Sequence, residues 1–225
     1  MILRRKQFSS RLLKILVFCF SGLSVAAQEP GRASFQWGVT MGLDAHSLGA
    51  LFNPVDPAKA YIEFDRSALG WSTGVFGSWN LMPSLALRPQ LLFAVNENRL
   101  KFYSDGGGQK IESYRFSDIC VPVHLVISNR FRALPLRSSF LFGGSFSWNT
   151  AQNMPKDLTL YRERWSLDIG MGVEINIKSW RIKPEVISSH GLNNIHNLGD
   201  GAFDWVIGKM VRDRLSLRVS FWKEK

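Results

Sequence analysis

Cysteine and long apolar runs are both scarce in this 225-residue chain, and each scarcity excludes a class. The chain has 2 cysteines, Cys19 and Cys120. Cys19 lies in an N-terminal segment that reads as a cleaved leader, so Cys120 remains alone and no internal disulfide is expected. The one long apolar stretch sits at the extreme N-terminus. Its heart, residues 15–20, falls far short of the roughly 20 residues a spanning helix needs, which excludes a helical membrane protein. Histidine is also scarce. His46, His124, His190 and His196 lie on different segments without metal-ligand spacing, so no metal and no cofactor are expected. A phosphate cradle is excluded too, because the Gly106-Gly107-Gly108 run lacks a following Lys-Ser/Thr helix start.

The formal charge of +10 points to nucleic acid only if the leader is counted. Arg4, Arg5, Lys6, Arg11 and Lys14 all precede the first acid, Glu29. Without residues 1–27, about 23 bases face 18 acids, and the case for nucleic acid falls away. Those residues form a basic start, an apolar centre and small residues at Val25-Ala26-Ala27, the pattern of a secretory signal peptide. Residues 28–225 are then read as one domain.

That domain alternates with period two almost throughout, which predicts strands. Phe35, Trp37, Val39, Met41 and Leu43 share one face; Gln36, Gly38, Thr40, Gly42 and Asp44 share the other. Segments near 69–81, 85–96, 118–128, 139–149, 165–176, 180–189 and 215–221 repeat the pattern. About eight strands result, an even number that closes as an antiparallel up-and-down barrel. Long links (45–68, 104–110, 150–158, 192–212) alternate with short ones (82–84, 129–135, 178–179), as in outer-membrane barrels. Phe203, Ile207, Met210 and Val211 suggest a short helix in the last long link. Pro89, Pro122 and Pro184 fall inside strands, where bulges are expected.

The apolar face carries too many large side chains for the narrow interior of eight strands, whereas the polar face is rich in Gly and Ser. The apolar face is therefore expected to meet lipid, as an all-β transmembrane barrel integral to the outer membrane. Trp71, Trp79, Trp148, Trp165 and Trp180 lie near strand ends as an expected aromatic girdle. Arg88, Asp118, Arg137, Asp168, Glu174, Arg181, Lys183, Glu185 and Arg218 are expected in the lumen as a structural charge cluster. A lumen so filled implies no small-molecule substrate. Cys120 reads as a small packed residue rather than a nucleophile. His46 with Asp44 and Ser47 is the single local candidate for a rim enzyme of the PagP type, and no catalytic residue is expected.

Several stretches carry a family likeness. One reads Trp165-Ser-Leu-Asp-Ile-Gly-Met-Gly-Val-Glu174, then Ile182-Lys-Pro-Glu185, then Ser189-His-Gly-Leu-Asn-Asn194-Ile195. Upstream are Leu87-Arg88-Pro89 and Ile119-Cys-Val-Pro-Val-His-Leu125, with Val121 and His124 departing from the pattern. Together they resemble the PorT family of outer-membrane barrels of the Bacteroidetes. The resemblance implies a non-enzymatic barrel in or beside type IX protein secretion and linked gliding motility, with protein partners in that machinery. The alternative is a small barrel of the OmpA transmembrane type, acting as adhesin or envelope scaffold.

Overall fold

A computed structural model describes residues 35–53, 60–64, 68–82, 84–104, 108–130, 136–151, 158–199 and 203–223. The expected signal peptide lies outside the described residues. Among the described residues nine strands follow one another: β1 (Phe35–Phe52), β2 (Ala60–Phe64), β3 (Ala68–Met82), β4 (Leu85–Ser104), β5 (Gly108–Arg130), β6 (Leu136–Asn149), β7 (Glu163–Ile177), β8 (Trp180–Gly191) and β9 (Ile207–Lys223). All pairings are antiparallel. Eight strands form a closed ring in the order β4-β3-β1-β9-β8-β7-β6-β5, with β5 returning to β4. The ring leaves no free edge in the wall, as a chain in hydrocarbon requires. The last seam joins the two ends of the chain, with Thr40 opposite Ser220 and Leu43 opposite Leu217.

Strand parity sorts the side chains as the alternation predicts. On β1, Trp37, Met41 and Leu43 are exposed on the outer wall, while Thr40, Asp44 and His46 are buried inside. The same holds for Leu215 and Leu217 against Ser216 and Arg218 on β9. The apolar face looks outward and the polar face lines the lumen.

Some links differ from expectation. The first long link is partly strand: β1 continues to Phe52, and β2 pairs with the upper part of β4, Ala60 opposite Ser104. β4 and β5 run far beyond the 9–11 residues a membrane strand needs and project as a hairpin on the long-loop side. In place of the expected short helix there is a single 3-10 turn, Asp204–Val206, and Ile207, Met210 and Val211 belong to β9. Their spacing reflects one buried strand face joined to a tight turn. The prolines do not create bulges. Around Pro89 the β4–β5 ladder stops after Val123 and resumes at Leu92 opposite Cys120 in the same register. Around Pro184 the β7–β8 ladder skips likewise between Gly172 and Ile175. Each proline removes a donor, but an in-register gap is enough to absorb the loss. The register shifts lie elsewhere, at Leu51/Phe52 and Asn80/Met82. The two-residue turn between β7 and β8 holds Lys178 at φ 54, the left-handed conformation that such hairpin turns use.

Above the lipid-facing band the pattern inverts. On β4 the outward residues change from Leu91, Phe93 and Val95 to Glu97, Arg99 and Lys101, while the inward ones change from Asn96 and Asn98 to Leu100 and Phe102. On β5 the outward Ser113 and Arg115 stand beside inward Tyr114 and Phe116. These inward residues join Ile62, Leu158, Leu160, Ile195, Val206, Ile207 and Met210 in one apolar core. The long-loop end thus has an apolar core of its own seated on the barrel, and its outer face mixes Glu97, Arg99 and Arg115 with exposed Leu51, Ile111 and Leu198.

Candidate functional site

Below that apolar cap, the lumen is a stack of ion pairs supplied by facing strands. Toward the short-turn end, Arg88 on β4 gives two hydrogen bonds to Glu185 on β8, at 2.8 and 2.7 Å. Lys183 lies 3.0 Å from the same carboxylate. Glu174 accepts from Arg181 at 2.9 Å across the β7–β8 hairpin, and Arg137 stands opposite Glu174 on the neighbouring ladder. Arg88 also lies over the Phe76 ring, 5.7 Å from its centroid.

At mid-height, the His124 Nε2 is 2.9 Å from Asp168, and its Nδ1 is 3.3 Å from the Gln90 amide. With its oxygen turned toward them, that amide also accepts from Arg88 Nε at 3.1 Å, so one polar chain runs from Glu185 through Arg88, Gln90 and His124 to Asp168. Ser145 donates to Asp168 at 3.2 Å. Arg218 is fully buried and donates to Ser216 at 3.4 Å, and the Ser216 hydroxyl donates to Asp44. Highest in the stack, Asp118 accepts from Arg212 at 3.0 Å and lies 3.7 Å from Arg164. The Arg212 guanidinium lies 4.1 Å above the Phe116 ring, where the polar stack meets the apolar cap. Charges out of water are stabilised when paired and hydrogen-bonded, and the ion pairs above do this for Arg88, Lys183, Arg181 and Arg212, whereas Arg214 and Arg218 reach only serine hydroxyls and the Cys120 thiol.

All nine charged residues singled out from the sequence face this interior. They do not form one cluster. Arg88, Lys183 and Glu185 meet as a triad; Arg181 and Glu174 form a pair, with Arg137 across the ladder; Asp118, Asp168 and Arg218 sit higher, each with its own partners. Asp44, His124, Arg164, Arg212 and Arg214 belong to the same stack. Each shares the parity of the inward face, and that is the signal that marks them. Arg212 and Arg214 are missed when β9 is started at Leu215, and Arg164 when β7 is started at Trp165.

The five tryptophans divide between the two rims. Trp71, Trp148 and Trp165 lie on the outer wall at the long-loop end, and Trp79 and Trp180 lie at the short-turn end. Trp71 packs edge-on to Phe93 at 6.0 Å, and Trp165 meets Phe146 at 4.7 Å. The rim triad suggested by Asp44, His46 and Ser47 is split by strand parity: Asp44 and His46 are buried inside, and Ser47 is exposed on the opposite face. Cys120 is buried between Leu92 and Ala94, and its Sγ accepts from Ser147 Oγ at 3.2 Å.

A wall that is apolar outside, sealed by hydrogen bonds and rimmed with tryptophan is suited to one solvent, a lipid bilayer. The sequence matches the family described as outer membrane protein beta-barrel domain over residues 26–197. This chain belongs to that family. It is an integral protein of the outer membrane, a class of barrel whose short turns face the periplasm. The family's architecture recurs in solved structures. The outer membrane protein OprG of Pseudomonas aeruginosa is similar at 9% identity and a TM-score of 0.54, covering 86% of this chain and 97% of OprG. Neisserial surface protein A is similar at 12% identity and a TM-score of 0.50, covering 84% of this chain and 98% of that one. At such identities the likeness concerns the fold. No curated protein sequence matches the chain.

Proposed function

We propose that this outer-membrane barrel is a non-conducting, non-enzymatic partner or assembly element that works through its two faces, in or beside type IX protein secretion. One observation carries the reading: the described lumen is crossed by ion pairs from Glu185 to Asp118 and capped by the apolar core. An eight-stranded interior is only just wide enough for its own side chains, and a solute path would have to break buried pairs. The secretion assignment rests on the resemblance of residues 165–195 to the PorT family. A strain lacking the gene should keep its small-solute permeability while proteins with the C-terminal secretion tag accumulate inside the cell. Normal export in that strain would remove the secretion role. His46→Ala should leave export intact.

A second reading, an adhesin or envelope scaffold, draws on the folded cap, which gives the cell exterior a shaped surface rather than bare loops. Loss of surface attachment in the deletion strain, with export unchanged, would favour it.

A further inference from the structure

The middle of the lumen carries positive charge that its own carboxylates do not match. Asp118 is shared by Arg212 and Arg164, and Asp168 is engaged by His124 and Ser145. Arg214 and Arg218 are 2% and 1% exposed, and neither pairs with a carboxylate among the described residues. Arg214 reaches the Ser189 hydroxyl at 3.3 Å and the Cys120 thiol at 3.8 Å, and Arg218 reaches Ser216 at 3.4 Å. Glu185 neighbours Arg218 on the β8–β9 ladder, but its oxygens go to Arg88 and Lys183. At this level Arg164, Arg212, Arg214 and Arg218 face Asp44, Asp118 and Asp168, four guanidiniums against three carboxylates. Arg214 Nε, Arg218 Nε and Nη1, and both ring nitrogens of His46 find no hydrogen-bond partner among the described residues. His46 is buried opposite Arg214 on the β1–β9 ladder, and the charges of all four arginines act on it. The wall here is built from small buried side chains, Ser72, Ala94, Cys120, Ser147, Ser189 and Ser216. Such side chains do not reach the barrel axis, so the centre of the layer belongs to the guanidiniums and what they bind.

We infer that this layer binds one small monovalent anion, a chloride ion, held by the unpartnered N–H groups of Arg214 and Arg218 beside His46. A buried guanidinium without a counter-charge is costly, and each unmade hydrogen bond adds to the cost. One negative charge balances the four guanidiniums against the three aspartates, whereas a divalent oxyanion would reverse the sign. A spherical halide accepts from donors at any angle, and His46 can add one ring N–H from β1 to those of the two arginines on β9. The Arg212–Phe116 contact closes the layer above, and the triad of Arg88, Glu185 and Lys183 closes it below, so the ion is taken up as the barrel folds. This goes beyond the reading of the barrel as an assembly element and does not depend on it, because it concerns how the charged lumen is neutralised.

The test uses the mature chain refolded in detergent micelles, with chloride varied from about 5 to about 500 mM and gluconate holding the ionic strength constant. An ion that binds only the folded barrel stabilises it by mass action, so the urea midpoint should climb with the logarithm of chloride once the site fills, and bromide should act in its place. Arg218→Met removes the surplus cation, and the folded variant should lose this dependence, whereas Lys209→Gln, at an exposed position of β9, should keep it. A heat-dependent gel shift confirms that each variant is folded. Crystals of the parent refolded in bromide should show an anomalous peak beside Arg214 and Arg218, and that peak decides alone if Arg218→Met does not fold. The proposal is overturned if chloride and gluconate give the same midpoint, or if the folded Arg218→Met variant responds as the parent does. It is overturned equally if the bromide crystals show no anomalous signal in this layer, which would assign the unpartnered N–H groups to water.

Discussion

Arg88 and Glu185, 97 residues apart in sequence, meet inside the barrel through two near-parallel hydrogen bonds, and both side chains are almost fully buried. The bidentate geometry fixes β4 against β8 across the lumen, although the two strands are not neighbours in the sheet. Glu185 serves Lys183 as well, so the two ends of this contact are unequal. Glu185→Gln strands two cations and should cost about 3–5 kcal/mol, whereas Arg88→Met leaves Glu185 its lysine and should cost less. Urea unfolding of the micelle-bound protein, followed by tryptophan fluorescence, measures both. A larger loss for Arg88→Met would show that Lys183 does not engage the carboxylate.

Ile169 and Asp168 are adjacent, yet one is 39% exposed on the outer wall and the other is 1% exposed in the lumen. Ile169→Arg places a charge against lipid and should cost about 2–4 kcal/mol. Asp168→Asn leaves His124 and Ser145 with a weaker partner and should cost about 1–3 kcal/mol. Refolding into vesicles of defined lipid, titrated with denaturant, gives the order. A smaller penalty for Ile169→Arg would mean that this part of the wall does not meet hydrocarbon.

Gly143 and Gly144 offer a similar contrast without charge. A Cβ at Gly143 would press on the Val123 carbonyl and come within 3.0 Å of the His124 ring, whereas one at Gly144 meets nothing nearer than the Ser166 carbonyl at 3.5 Å. Gly143→Ala should destabilise by about 1–3 kcal/mol and loosen the His124–Asp168 contact, and Gly144→Ala should be nearly silent. Comparing the urea midpoints of the two variants decides the matter. Equal midpoints would mean that β5 and β6 lie farther apart than the structure has them.

Cys120 offers a chemical probe of the seal. Its thiol is enclosed by Leu92, Ala94 and Ser147, below the apolar cap. A membrane-impermeant maleimide should leave it unmodified in intact cells and label it fully after boiling in SDS. Labelling of the native protein within minutes would show that the lumen admits a bulky solute.

The barrel was legible in the sequence because its two physical requirements leave simple marks. Alternation fixes strand and facing together, so it alone assigns Trp37, Met41 and Leu43 to lipid and Thr40 and Asp44 to the interior. Pairing within the lumen left no such mark. Arg88 and Glu185 belong to strands on opposite sides of the ring, and which cation meets which carboxylate depends on strand tilt and register. The cap was hidden for a subtler reason. On β4 the parity of the strand never changes, but the apolar set moves from Leu91, Phe93 and Val95 to Leu100 and Phe102. A search for one unbroken apolar face ends near Asn96, at that exchange, and does not carry the segment on to Leu100 and Phe102.

The same exchange of faces gives the protein a fixed draught in its bilayer. One residue pair along a tilted strand is a vertical step of about 5 Å. If the barrel rode that much higher, Leu43, Val95, Ile119 and Leu215 would surface into water and forfeit burial at about 25 cal/mol per Å². If it sank by the same step, Glu97, Arg115 and Asp213 would be dragged into the acyl chains. Both displacements are opposed, the downward one more steeply. A membrane of a different thickness would therefore have to stretch or compress to meet this wall, because the wall has no second height at which it can float.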